Sequence, residues 1–367
     1  MTDTTMDDSG HVNMTNETDC NLFPFVIYVG VFGPMCVFGL CGNTISFLVL
    51  QWEKQNYAAT FLLQTMAVAD NIFLLMSGFS LIISAILPMM QLDNTPLMAY
   101  MQVYIWPLVY ITQMWTVWIT VLIALNRFIA ICRPFQAQLL CTLSRVRLQV
   151  ALTAIATIIY NIPRFLEHRI VHITDTTTNV SQITANETLM KQNLHYNIVY
   201  ENLLYCLFVF LGPLIVLIYL NISLARELYA IRQRLLQRSL PKGSDSEEHN
   251  LTLVMMVIVL VFIICQTPAF GNQLLYYCLS YSCGQPYFYY FHISNLLVQA
   301  NSCFNFVVYC AFRKQFRARL HAFCCKRPAL AHVERRSYNA HQIVSVYSDC
   351  DSKTQTRACM CDNHPQL

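Results

Sequence analysis

Apolar runs recur along the chain, separated by short polar stretches. Seven stand out, near 24–51, 58–88, 97–132, 144–166, 199–237, 247–279 and 286–311. Each holds the roughly 20 apolar residues that a helix needs to cross about 30 Å of hydrocarbon. Backbone polar groups find no water in lipid, so these runs are expected to be helices. The longest imply tilt or extension beyond the bilayer, not extra spans. The pattern predicts an all-α membrane protein. A polar tail covers 1–23 and a seven-transmembrane helix bundle covers 24–311. A short amphipathic eighth helix follows over 312–325, then a disordered tail over 326–367. No internal repeat and no separate soluble domain is evident.

Composition agrees with the bilayer as solvent. Hydrophobic residues make up 56% of the 367 and charged residues only 12%, against about 25% charged in a soluble domain. No basic patch interleaved with exposed aromatics suggests nucleic acid. Residues 1–19 are polar and acidic, without the apolar core of a signal peptide. Translocation of this tail is therefore expected to rely on the first helix.

Charge gives an orientation. Of the 23 basic residues, 20 fall on one side of the spans and only Arg164, Arg169 and Lys191 on the other. The positive-inside rule makes the basic side cytosolic, with the N-terminus outside and the C-terminus inside a plasma membrane. Asn13, Asn16, Asn179 and Asn186 each head an Asn-X-Ser/Thr tripeptide on the outer side, where glycosylation occurs. Asn221 and Asn250 head such tripeptides at inner helix ends and are expected to stay unmodified. Only Cys20, Cys278 and Cys283 of 16 cysteines lie near the oxidising face. A Cys20–Cys283 link or a local Cys278–Cys283 link both fit. Cys324 and Cys325 follow a basic amphipathic segment, 312–323, that suits the inner leaflet. They are palmitoylation candidates.

Polar residues inside the runs point to function. Asp70 sits mid-span, where a carboxylate costs about 2.5–3.5 kcal/mol. Partners for it are Asn43, Thr116, Asn301, Ser302 and Asn305. Such oxygens could hold Na⁺, or the cluster could simply bind helices together. Arg127 ends the third run, and Glu248 begins the sixth at the same depth. The pair could clamp two helices, with release opening an inner crevice. Pro163, Pro213 and Pro268 are expected to interrupt helices 4, 5 and 6. Toward the outer side, Trp106, Tyr110, Gln113, Gln266, Phe270, Gln273, Tyr276, His292, Asn295 and Gln299 could line a cavity. Glu167 and Glu201 are the acids at that level. No nucleophile–base arrangement, phosphate loop or metal-ligand spacing suggests an enzyme. A seven-helix transporter is the competing reading, but no broken-helix repeat supports it.

These residues carry a family resemblance over 24–325. Gly42-Asn43, Ala67-Val68-Ala69-Asp70, Asn126-Arg127-Phe128, Pro213, Cys265-Gln266-Thr267-Pro268 and Asn305-Phe306-Val307-Val308-Tyr309 follow one another in helix order. The chain resembles a rhodopsin-like (class A) G-protein-coupled receptor. Tyr160-Asn161-Ile162-Pro163-Arg164-Phe165-Leu166-Glu167, Cys265-Gln266-Thr267-Pro268-Ala269 and Asn301-Ser302-Cys303-Phe304-Asn305-Phe306 resemble invertebrate FMRFamide, myosuppressin and sex-peptide receptors. The resemblance implies a short amidated peptide ligand, a heterotrimeric G protein and arrestin as partners. It also implies an activation switch of Arg127, Glu248, Pro213, Val117, Phe262, Pro268 and Tyr309. An Arg-Phe-amide ligand would need an acid, either Glu167 or Glu201. Position 109 is Val, which argues against an amine ligand. The bridge that ties helix 3 to the second outer loop in this class cannot form: Gln102 stands near its helix 3 position, and 164–200 lack cysteine. Asn126 precedes Arg127 in place of the usual acid, which is expected to raise basal activity. Thr153 replaces the usual helix 4 tryptophan.

Overall fold

The computed structural model describes residues 14–52, 57–92, 95–174, 181–238, 245–275, 279 and 281–325. Its frame is seven long helices. Helix α1 runs unbroken through three segments, Met14–Phe25, Val26–Phe32 and Gly33–Gln51. It is followed by α2 (Tyr57–Met89), α3 (Pro96–Cys132), α4 (Leu143–Asn161), α5 (Leu194–Ile231), α6 (Asp245–Leu275) and α7 (Pro286–Phe312). The α5 helix continues to Arg238. A further helix, α8, spans Lys314–Cys324.

Six of these are long and apolar enough to cross a membrane. The seventh, α7, has the length, 27 residues. Its apolar content is diluted by His292, Asn295, Gln299, Asn301 and Asn305, most of which turn out to be buried. Helix α1 starts earlier than the apolar run does, and the polar stretch it adds carries Cys20. Cys20 is bonded to Cys283, with Cα atoms 5.6 Å apart. Cys278 lies outside the described residues.

Prolines shape the helices, but not as simple kinks. In α1, α3 and α5 a π-helical stretch immediately precedes Gly33-Pro34, Trp106-Pro107 and Gly212-Pro213. Proline lacks an N–H, so the regular i→i−4 ladder loses a donor there. A wider i→i+5 turn re-pairs the neighbouring carbonyls. Pro163 does not interrupt α4 midway. It sits in the 3₁₀ turn Ile162–Leu166 that ends the helix. Pro268 does lie inside α6, and the Tyr290 hydroxyl donates to its carbonyl at 2.6 Å. Helix α3 ends at Arg133, whose φ of −138° and ψ of 60° leave the helical region. Pro134 disfavours helical geometry in the residue before it.

Helix contact relies on small residues, as expected where lipid offers no hydrophobic drive between helices. A Cβ on Gly39 would meet Cys303 Sγ at 2.7 Å, and one on Gly42 would meet the Phe306 Cβ at 2.8 Å. These two glycines let α1 and α7 approach closely. In the middle of the bundle, Val117 of α3, Leu217 of α5 and Phe262 of α6 are fully buried in one cluster.

One element departs from the all-α expectation. Between α4 and α5, β1 (His168–Thr174) pairs antiparallel with β2 (Ser181–Glu187), from His168 opposite Glu187 to Thr174 opposite Ser181. The stretch sits between apolar runs, where the sequence predicts only a connecting loop.

Candidate functional site

A cavity of about 470 Å³ opens at the hairpin end of the bundle, within the range of small-ligand sites. Its walls come from α2, α3, α5, α6 and α7, from the turn that ends α4 and from the connection to α5. Tyr110, Gln113, Glu167, Glu201, Gln273, Asn295 and Gln299 all line it, with Trp106, Arg164, His168 and Lys191.

Three expected lining residues do not reach it. Phe270 stacks on Phe210 of α5, ring centroids 4.3 Å apart and nearly parallel. Gln266 lies seven residues before Gln273, about 10 Å further down α6 by helix rise, and is buried there. His292 likewise faces α1: its ring nitrogens meet the hydroxyls of Tyr28 at 2.9 Å and Tyr281 at 3.1 Å. Tyr276 lies outside the described residues.

The wall nearest the hairpin is ionic. The 3₁₀ turn ending α4 carries Arg164 inward and leaves Glu167 three residues on. Arg164 Nη1 donates to Glu201 Oε1 at 3.0 Å and lies 3.2 Å from Glu167 Oε1. Its guanidinium sits over the rings of Tyr110, Tyr200 and Tyr205, 4.7, 5.4 and 5.8 Å from their centroids. Cation–π attraction strengthens when such a cation is desolvated, and Arg164 is buried. Lys191 Nζ meets the same Glu201 oxygen. The Tyr196 hydroxyl donates to Glu167 Oε1 at 2.8 Å. Two cations thus balance two carboxylates.

Local sequence explains this convergence. Asn193 caps the start of the α5 segment, accepting from the N–H of His195 at 2.9 Å and of Tyr196 at 3.4 Å. The following turns present Tyr196 and Tyr200 in a stack, centroids 5.0 Å apart. Thr188, just after β2, donates to the Leu166 carbonyl at 2.7 Å, and its N–H bonds the Glu167 carbonyl at 2.9 Å. The base of the hairpin is thereby fixed beside the cavity by hydrogen bonds to the end of α4, with no helix 3 disulfide.

Burial lowers the His168 pKa below the usual imidazole range, and Lys191 lowers it further. Burial works against the Lys191 ammonium, but Glu201 outweighs it and raises that pKa. The sequence marks Arg164 as an outer-side cation inside the Tyr160–Glu167 motif and Lys191 as an outer-side cation, and gives neither a role in the cavity. The signal available was their isolation: they are two of three cations at that end, with acids within ten residues of each.

A polar chain leads from the cavity into the bundle. The Ser77 hydroxyl donates to Gln299 Oε1 at 2.7 Å. One turn further along α7, the Ser302 hydroxyl donates to Asp70 Oδ1 and Asn305 Nδ2 to Oδ2, both at 2.7 Å. Asn43 Nδ2 donates to the Ser302 carbonyl at 3.0 Å. The Thr116 hydroxyl is turned to the Gln113 carbonyl of its own helix at 2.8 Å, and Asn301 is buried on α7. Asp70 is thus held by α7, and both of its oxygens are engaged by donors.

At the opposite end Arg127 and Tyr309 are buried. The side chain of Glu248 lies outside the described residues, so the expected clamp does too. Asn186 is exposed on β2. Asn13 and Asn179, and the side chain of Asn16, lie outside the described residues. Cys324 and Cys325 are exposed at the end of α8.

The family model "7 transmembrane receptor (rhodopsin family)" matches residues 42–309. The FMRFamide receptor of Drosophila melanogaster is 24% identical over 290 residues, covering 77% of this chain and 50% of that receptor. The FMRFamide peptide receptor frpr-18 of Caenorhabditis elegans is 26% identical over 316 residues, 84% of this chain and 70% of that protein. The sex peptide receptor of Drosophila melanogaster is 26% identical over 221 residues, 55% of this chain and 50% of that receptor. The chain therefore spans about half the length of the two Drosophila proteins it matches.

Proposed function

The chain belongs to the rhodopsin family of seven-transmembrane receptors, and on that premise we propose that it binds a short amidated peptide in the hairpin-end cavity and activates a heterotrimeric G protein at the opposite end. The family is one of membrane receptors, not enzymes. The hairpin end faces outward, because 20 of 23 basic residues belong to the other side.

The observation that carries the reading is the cavity's mixture of groups. A carboxamide terminus needs both a donor and an acceptor, and Gln113, Asn295 and Gln299 each offer an amide. Trp106 and Tyr110 give a ligand ring an aromatic wall, their own centroids 6.4 Å apart. Glu167 and Glu201 give a ligand guanidinium an acid. FMRFamide receptors among the relatives favour the same ligand class.

Transmission would run along α7 and α6. A ligand that engages Gln299 competes with Ser77 and so biases α7 against α2, whose Asp70 holds Ser302 and Asn305. Sodium, if it binds, would be held by Asp70 with the Ser302 oxygen, with Thr116, Asn301 and Asn305 nearby. It would supply a fixed positive charge that favours one arrangement of the helices. Repacking of Val117 and Phe262, with Pro213 and Pro268 as the proline sites of α5 and α6, would then open the inner end. Arg127, Glu248 and Tyr309 are the residues that would face the G protein. Arrestin would engage the tail after receptor phosphorylation. Glycans at Asn13, Asn16, Asn179 and Asn186 and acyl chains at Cys324 and Cys325 complete the proposed plasma-membrane form, with α8 on the inner leaflet.

Displacement of a labelled Arg-Phe-amide peptide from membranes containing the full chain tests the ligand class. The account expects an amidated competitor to displace it, and the same peptide with a free carboxylate to fail. Equal displacement by both forms would remove the carboxamide from the account.

A further inference from the structure

Both candidate acids of the cavity are already ion-paired within the chain, and the two cations that hold them are not equivalent. Arg164 is 8% exposed, shared between Glu167 and Glu201, and enclosed by three tyrosine rings. Pulling it away would strand two buried carboxylates, a strongly destabilising outcome. Lys191 is different. Its side chain is 20% exposed and its one described anionic partner is Glu201. It stands on a four-residue helix, Leu189–Gln192. Leu189 and Leu194 beside it are 86% and 65% exposed, so little packing holds the segment in place. An ammonium leaving this position regains water at the cavity mouth, along a flexible stem.

We propose that Lys191 is a tethered competitor for the ligand's guanidinium: it occupies the cation subsite at Glu201, and a peptide arginine binds by displacing it. This rests on the amidated-peptide reading and makes that reading specific about the acid. The charges balance. With Lys191 in place, two cations meet two carboxylates; with Lys191 gone, the wall carries one net negative charge, which one guanidinium neutralises. The swap favours the incoming group. Arginine is more weakly hydrated than an ammonium, and its planar fork can take both oxygens of a carboxylate. Arg164 and Lys191 both meet Oε1 of Glu201, so neither of these contacts uses Oε2. A ligand lysine would gain nothing from the exchange, because it would replace like with like. The subsite therefore selects guanidinium over ammonium, and the loop lysine sets the threshold for occupancy.

The test uses the full chain in membranes and two probes. One is N-acetyl-Phe-Met-Arg-Phe-amide, whose guanidinium is its only charge. The other carries citrulline, a neutral isostere, in place of arginine. In Lys191→Met the arginine probe is expected to bind about tenfold more tightly, a change of about 1.4 kcal/mol, while the citrulline probe is unchanged. Lys191→Gln should give a smaller gain. Lys191→Arg should weaken the arginine probe, because the competitor is then as good as the ligand. Glu201→Gln should erase the preference for arginine over citrulline. A purely structural lysine would give losses in all three Lys191 variants. That result, or unchanged affinity in Lys191→Met and Lys191→Gln, overturns the proposal while leaving peptide binding intact. Absence of saturable binding of either probe to the unaltered chain and to every variant would instead overturn the amidated-peptide reading, and the proposal with it.

Discussion

Arg164 organises the cavity wall, and its sequence context says little about that. The sequence presents it as one of three cations on the outer side and as part of the Tyr160–Glu167 motif; only folding brings Glu201, 37 positions later, to its guanidinium. Arg164→Gln is expected to lower stability by about 3–5 kcal/mol, the cost of leaving a buried ion cluster unbalanced. Thermal unfolding of the solubilised protein measures it, and adding Glu167→Gln should recover part of the loss. If the single variant melts with the parent, the cluster contributes nothing to the fold. His168 makes a pH prediction. Burial, the first cause, and Lys191 both lower its pKa, while Glu187 and Glu201 oppose them. It therefore stays neutral at pH 7 and protonates only below the ordinary value of about 6.5. Because the folded pKa is depressed, the stability this residue contributes is present above that ordinary value and lost as pH falls through the folded one. Peptide binding should hold from pH 7.5 to 6.5, then fall on further acidification, and His168→Gln should flatten that acid limb. An identical acid limb in the variant would assign the titration elsewhere. Asp70, by contrast, was legible at once, because a lone carboxylate in a 33-residue apolar helix has to find polar partners.

The elements were legible where one apolar period runs long, and less so where a covalent or local constraint decides. Six helices follow from length and apolarity alone. Helix α7 follows instead from its pattern, since its amides and serines are the polar lining of the bundle. The π turns were not foreseen. Their signal is the proline that follows each one, but the chain could equally have kinked there, and the choice depends on neighbouring carbonyls. The hairpin was missed because His168–Thr174 mixes His, Arg and Thr with Ile and Val without clean alternation. The approach of α1 to α7 is testable. Gly42→Ala would drive a methyl against the Cβ of Phe306, an atom too close to the backbone to swing aside. It should cost about 1–3 kcal/mol as overpacking, seen as a lower melting temperature. Gly30→Ala, where nothing lies within 4 Å of the new methyl, should melt with the parent or above it. If both variants behaved alike, close packing would not be what fixes this helix pair.

For the whole molecule, the apolar runs predict a membrane bundle, and the ordered motifs connect it to the receptor family that the comparison then identifies. What the runs could not reveal is that the cavity wall is electrically closed, each acid already paired inside the chain. That changes what a ligand has to do: it enters by exchange, not by filling an open site. The base of the α4–α5 connection is fixed at the cavity without the usual helix 3 bridge, through Thr188 on Leu166 and Tyr196 on Glu167. The most direct test of the receptor reading is G-protein dissociation in cells displaying the full chain at their surface. Short peptides with a penultimate arginine would be applied as amides and as free acids. The account predicts saturable activation by at least one amide, abolished in its free acid and shifted to higher concentration in Glu201→Gln. Activation equal for amide and acid, or none by any peptide of the panel at confirmed surface display, would contradict it.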